Sequence, residues 1–191
     1  MNTTENNFKR QFLYTIKNAL LLNPELYDNA CHIPLNNQVS LIIVILAGIS
    51  HALGSLFILL FNQASIYLLL LALLIDALSI IIGYYFWALT IWKVGQFIKL
   101  IDPKFNNLLS PIGFAYAPQL LNFLNLIPLL GRAIELILGL WSLLAVIIAV
   151  RQALHITTRK AAFICLIAWP LIQTAVGFIQ ILQQKVVQFT N

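Results

Sequence analysis

The chain has 191 residues, of which 61% are hydrophobic and 9% charged, with a formal net charge of +5 and a mean hydropathy of +0.90. A soluble globule of this length needs a charged shell that so few ionic residues cannot supply. Apolar runs of some twenty residues also exclude an outer-membrane barrel, whose strands alternate over ~10-residue segments. What remains is an all-α fold, a polytopic transmembrane bundle of five helices preceded by a short interfacial amphipathic helix.

Met1–Asn7 is polar and Ala19–Leu22 is too short for the apolar core of a secretory signal, so none is expected. Phe8, Phe12, Ile16, Ala19 and Leu20 then fall on one helical face, with Lys9, Arg10 and Lys17 on the flanks and opposite side. This pattern fits a helix lying on an anionic leaflet, its three cations at lipid headgroups; a short helix packed under the bundle fits equally well. Pro24 is expected to end it, with a polar linker to Asn37. Cys31 precedes the first span and Cys165 lies in the last, so both read as free thiols.

A hydrocarbon core of ~30 Å takes ~20 helical residues. Five stretches qualify: Ser40–Phe61, Ser65–Trp92, Ser110–Leu130, Ala133–Ala153 and Ala161–Gln183. The chain divides accordingly into a cytoplasmic N-terminal segment (1–39), a membrane domain (40–183) and a C-terminal tail (184–191). With the N-terminus in the cytoplasm, the inner segments hold Lys9, Arg10, Lys17, Lys93, Lys99, Lys104, Arg151, Arg159 and Lys160, and the outer ones hold Arg132 and Lys185. That asymmetry obeys the positive-inside rule and places the C-terminus on the opposite side.

The second span carries Asp76 in a stretch otherwise almost free of charge. A carboxylate at the bilayer centre costs at least ~2.5–3.5 kcal/mol on insertion scales, so it needs a partner, a proton or a task. Counted from the hairpin at Asn62–Ala64, Asp76 and His51 of the first span reach the same depth, roughly 16 Å from the outer end. Ala47, Gly48 and Ala52 lie near His51, and Ala72, Ser79 and Gly83 near Asp76, small enough to let the backbones approach. A hydrogen bond or ion pair fixing the hairpin's register is the preferred reading. A proton-relay site is the sharper alternative, and a third possibility is that the two side chains do not meet. Tyr84, Tyr85, Trp87 and Trp92 at the inner end read as an aromatic belt.

Pro111, Pro118 and Pro128 interrupt the third span, and Gln119, Asn122 and Asn125 recur along one side of it after the Pro118 kink. A kinked spanning helix preserves the charge asymmetry, whereas a re-entrant hairpin would invert the segments that follow. The amides read as interhelical hydrogen-bonding groups, joined by Gln173, with a polar cavity as the alternative. In the fourth span Arg132 and Glu135 have the spacing of an interface-level pair, and Arg151 at its inner end can snorkel to lipid phosphates.

No phosphate loop, paired metal ligands or nucleophile elbow is present, so no catalytic, cofactor-binding or metal role is assigned. Nucleic acid is not an expected partner, since no basic domain supports it.

The runs SPIGFAYAPQLLNFLNLIPLLG and ELILGLWSLLAVIIAVRQAL, with TIKNALLLNPELYDNA before them, resemble the Yip-domain family of small five-span membrane proteins. Gly113, Phe114 and Pro118 match a glycine–aromatic–proline motif, and Trp141 and Arg151 the tryptophan and basic end of the next span. The resemblance extends from about Leu13 to Ile181 and implies a helical bundle with a cytosolic N-terminus. Eukaryotic relatives act in secretory trafficking with prenylated Rab-type GTPases. Their Asp-Leu-Tyr-Gly-Pro element has no counterpart here beyond a faint echo in Glu25-Leu26-Tyr27, which argues against a GTPase partner. The chain looks like a prokaryotic or organellar member, in a bacterial inner membrane or a thylakoid. The expected function is a non-enzymatic scaffold, assembly or membrane-organisation factor that contacts membrane lipids and other membrane proteins or itself. The alternative is a small oligomeric transporter or channel built on His51 and Asp76.

Overall fold

A computed structural model describes residues 3–30, 34–61, 66–97, 104–127, 130–171 and 174. Helix α1 (Thr3–Leu20), α2 (Pro24–Asn29), α3 (Pro34–Phe61), α4 (Ile66–Phe97), α5 (Phe105–Phe114), a 3₁₀ segment (Ala117–Leu126) and α6 (Gly131–Ala153) follow in order. A last helix, α7, covers 158–171. The described residues contain no strand. Three stretches among them are long and apolar enough to cross a membrane: Asn36–Gly54, Leu70–Phe97 and Gly131–Ala153. Pro128, Gln173, about half of the fifth expected span and the C-terminal tail lie outside the described residues, as do Cys31 and the expected Asn62–Ala64 connection.

Several boundaries move. The expected linker after Pro24 contains α2, because Asn23 caps it by accepting from the Glu25 N–H at 3.1 Å and Pro24 supplies a preformed first turn. α3 starts at Pro34, ahead of Ser40, and α4 runs through Lys93 to Phe97, past the expected stop at Trp92.

The third expected span is two elements. α5 holds Pro111 and ends at Phe114; the chain then tightens into i→i+3 bonds, with the Gln119 N–H on the Tyr116 carbonyl at 2.9 Å and Ile127 on Leu124 at 3.1 Å. Its direction follows from its contacts with α3. Ser110 bonds Asn37, a Cβ on Gly113 would lie 2.6 Å from that of Ser40, Ser50 bonds Leu120 and Phe123, and Gly54 meets Asn122. The order rises on both sides, so the segment runs parallel to α3. The α3 residues cover about 25 Å at ~1.5 Å each, and the partner keeps pace at close to 2 Å per residue, the 3₁₀ rise. No reversal occurs over 110–126. α6 then descends alongside, from Gly131 near the Asn125 carbonyl to Ser142 at Gln119.

α1 packs on the bundle, one of its two expected settings. Thr15 and Ala19 are buried, and Phe8, Phe12, Ile16 and Leu20 pack against the bundle core, so this apolar face meets protein. Its apolar face thus packs on the bundle, while Lys9, Arg10 and Lys17 are exposed.

Candidate functional site

The interior polar groups form two clusters on either side of α3. The first joins α3 to α4. Gly48 lies so close to α4 that a Cβ there would sit 2.8 Å from the Ala77 carbonyl oxygen, and Ala47, Ala52 and Ala72 are buried nearby. Across this seam His51 Nδ1 lies 3.1 Å from Asp76 Oδ2, with side chains 20% and 6% exposed respectively. Ser79 donates to the Asp76 backbone carbonyl at 2.7 Å. A second carboxylate, Glu135 of α6, lies within electrostatic reach of His51.

The second cluster joins α3, the 3₁₀ segment and α6. Ser50 Oγ donates to the Leu120 carbonyl at 2.8 Å and accepts from the Phe123 N–H at 2.9 Å, bridging two backbone groups near the Pro118 break. Gln119 Nε2 donates to Ser142 Oγ at 3.0 Å, and Asn122 Nδ2 donates to Gln119 Oε1. Asn122 is 1% exposed, so this chain is an internal one. Asn125, the third amide of the series, does not join it; its Oδ1 is buried with no hydrogen-bond partner. Gln173 falls outside the described residues.

Other expected positions are separate from these clusters. Arg132 and Glu135 are both exposed at the start of α6, and no ion pair joins them among the described residues. Arg151 Nη1 donates to Thr158 Oγ1 at 3.3 Å, across the turn into α7. Lys9, Arg10 and Lys17 are exposed on α1. The aromatic belt is split: Tyr84 and Trp87 are buried against Tyr116, whereas Tyr85 is exposed. The Tyr84 hydroxyl donates to the Leu109 carbonyl at 3.0 Å, so it holds α4 to α5.

Three contributors escaped sequence reasoning. Ser50 and Ser142 sit in apolar helices, where a serine most often bonds its own preceding turn and carries no signal of an interhelical role. Asn36, 5% exposed, accepts from Gln11 Nε2 at 3.0 Å and donates to the Asn29 and Ala30 carbonyls at 3.1 and 3.3 Å. Its place after Pro34 was the available hint. Chemically, the first cluster can hold a proton between imidazole and carboxylate, and the second can brace a broken helix.

No protein-family model, curated protein or solved structure matches the chain.

Proposed function

We propose that this is a five-span integral membrane protein of the Yip-domain type, with its N-terminus in the cytoplasm, acting as a non-enzymatic scaffold, assembly or membrane-organisation factor. The observation that carries this reading is that the interior amides and hydroxyls bond one another or the backbone across three elements. Gln119 and Asn122, which could line a path, are engaged in holding helices together, at about 0.6–2 kcal/mol per contact, while Asn125 stands apart from them. The outward surface suits lateral partners: Leu70, Leu74, Leu78, Ile82 and Leu89 of α4 are all exposed. The 3₁₀ segment, advancing steadily beside α3, serves as the outer half of the third span, and α7 begins the fifth. Positive-inside charge supports the orientation, and a bacterial inner membrane or thylakoid suits it.

Purification from its native membrane in mild detergent, with mass spectrometry of what accompanies it, tests the reading. A stoichiometric membrane-protein partner or a self-assembly is expected; a monomer with no partner by crosslinking in the membrane would contradict it.

A second reading, proton-coupled transport, is favoured by His51, which keeps one-fifth of its side chain exposed while contacting Asp76 and feeling Glu135. It requires a proton flux that Asp76→Asn abolishes without loss of fold.

A further inference from the structure

The N-terminal helices form a hairpin whose position on the bundle can be read from three contacts. Gln11 of α1 bonds Asn36, at the inner start of α3. The Leu20 carbonyl, at the end of α1, accepts from Trp141 Nε1 at 3.2 Å, in the middle of α6. The Pro24 carbonyl, at the start of α2, accepts from Gln152 Nε2 at 3.3 Å, back at the inner end of α6. α1 therefore climbs along the inner half of the bundle and α2 begins the descent. The turn between them, Leu20-Leu21-Leu22, reaches toward Trp141, about 15 Å along α6 from Arg151.

That turn is built for hydrocarbon. Its N–H groups are all paired: Leu21 to the Lys17 carbonyl at 3.1 Å, Leu22 to Ala19 at 3.1 Å and Asn23 to Asn18 at 3.0 Å. Leu22 takes a positive φ of 56° to close it. Asn18 and Asn23 bond each other side chain to side chain at 3.1 Å. Backbone at membrane depth has to satisfy its polar groups internally, and the N–H groups of this turn, with the Leu20 carbonyl, do so. Yet Leu21 is 67% exposed, and below it on the same outward side Leu13 and Tyr14 are 66% and 59% exposed. Arg10 and Lys17 share that side. The α2 carboxylates Glu25 and Asp28 follow the descent, toward the Gln152 end.

We infer that α1 and α2 form a half-inserted hairpin, its leucine tip in the acyl region of the cytoplasmic leaflet and its outward face binding anionic lipid headgroups through Arg10 and Lys17. Leu21 is the deep anchor, Tyr14 sits at the level where amphipathic rings settle, and the cations snorkel from apolar stems to phosphate. This rests on the membrane orientation proposed above.

The test is depth-resolved quenching of a fluorophore at single cysteines in the full chain reconstituted into vesicles, with Cys31→Ser and Cys165→Ala as background. Leu21→Cys is expected to be quenched by lipid spin-labelled deep in its acyl chain and spared by aqueous iodide. Tyr14→Cys is expected to respond more to spin-labelled phosphatidylglycerol than to phosphatidylcholine with the same label. Arg10→Glu with Lys17→Glu should lower that preference on the order of tenfold. Leu74→Cys on α4 is the control for the bundle. If Leu74→Cys is quenched by deep lipid but Leu21→Cys by iodide, the hairpin inference fails and the orientation stands; if both are quenched by iodide, the membrane reading fails. Equal response to the two lipids would overturn the anionic-lipid assignment.

Discussion

Asp76 is tolerable in an apolar helix because His51 arrives at the same depth with a ring nitrogen 3.1 Å away. This juxtaposition was legible in the sequence, since helical rise and a short hairpin fix relative depth and small residues mark the seam. The Ser50 bridge was not, because nothing in an apolar run tells which serine faces a broken neighbour. The two partners should respond differently to mutation. Asp76→Asn keeps a hydrogen-bonding group and should cost no more than about 1–2 kcal/mol. His51→Ala removes the contact with the buried carboxylate and should cost more, up to about 3–5 kcal/mol, the range for breaking one side of a buried pair. Reversible unfolding in mixed micelles measures both, and equal losses would argue against the pair as the register-fixing contact. Gly54 makes a steric prediction. A Cβ there collides with the Asn122 carbonyl, which is backbone and cannot swing aside. Gly54→Ala should destabilise by about 1–3 kcal/mol, whereas Gly139→Ala, where a Cβ meets nothing within 4 Å, should be neutral or stabilising.

Among the elements, long apolar helices were the most legible and their ends the least. Apolar content sets where a helix is able to cross a membrane, but caps and neighbours set where it stops. α2 was missed because six residues carry no periodic signal, although Asn23-Pro24-Glu25 is a capping sequence that could have revealed it. The split of the third expected span was half visible: Pro118 marks the break, but the 3₁₀ path beyond it depends on Ser50 and Gln119 finding partners on other elements. The N-terminal hairpin hangs on Asn36, which ties α1, the end of α2 and α3 together. Asn36→Ala leaves two carbonyls and the Gln11 amide without that partner, and should release the hairpin to protease before the bundle unfolds, at a cost of about 1–3 kcal/mol. The hairpin should also loosen in alkali. Tyr27 is fully buried and donates its hydroxyl to the Ala19 carbonyl at 3.2 Å, and burial pushes its phenol above the ordinary range. A raised folded-state value means the contribution is intact below the unfolded value of about 10 and is lost as pH rises past it. Tyr27→Phe should remove that alkaline sensitivity, as read by protease release of the hairpin.

For the molecule as a whole, two kinds of surface divide the roles. Inside, amides, hydroxyls and one histidine–carboxylate contact hold α3 against both α4 and the 3₁₀ segment. Outside, α4 offers exposed leucines and isoleucine, and α1 adds cations near the end of the bundle where α3 begins. The helical class followed from composition, and three of the expected apolar runs are long membrane-capable helices among the described residues; the pairing of Gln119, Asn122 and Ser50 followed only from the way the third segment winds beside α3. A scaffold account and a transport account differ in what the interior does when protons are driven across it. The direct measurement is proton flux in vesicles holding the purified protein and a trapped pH-sensitive dye, under an imposed gradient. The account predicts flux no greater than in protein-free vesicles, and the same for Asp76→Asn. A protein-dependent flux that Asp76→Asn abolishes, with the variant still folded, would contradict it.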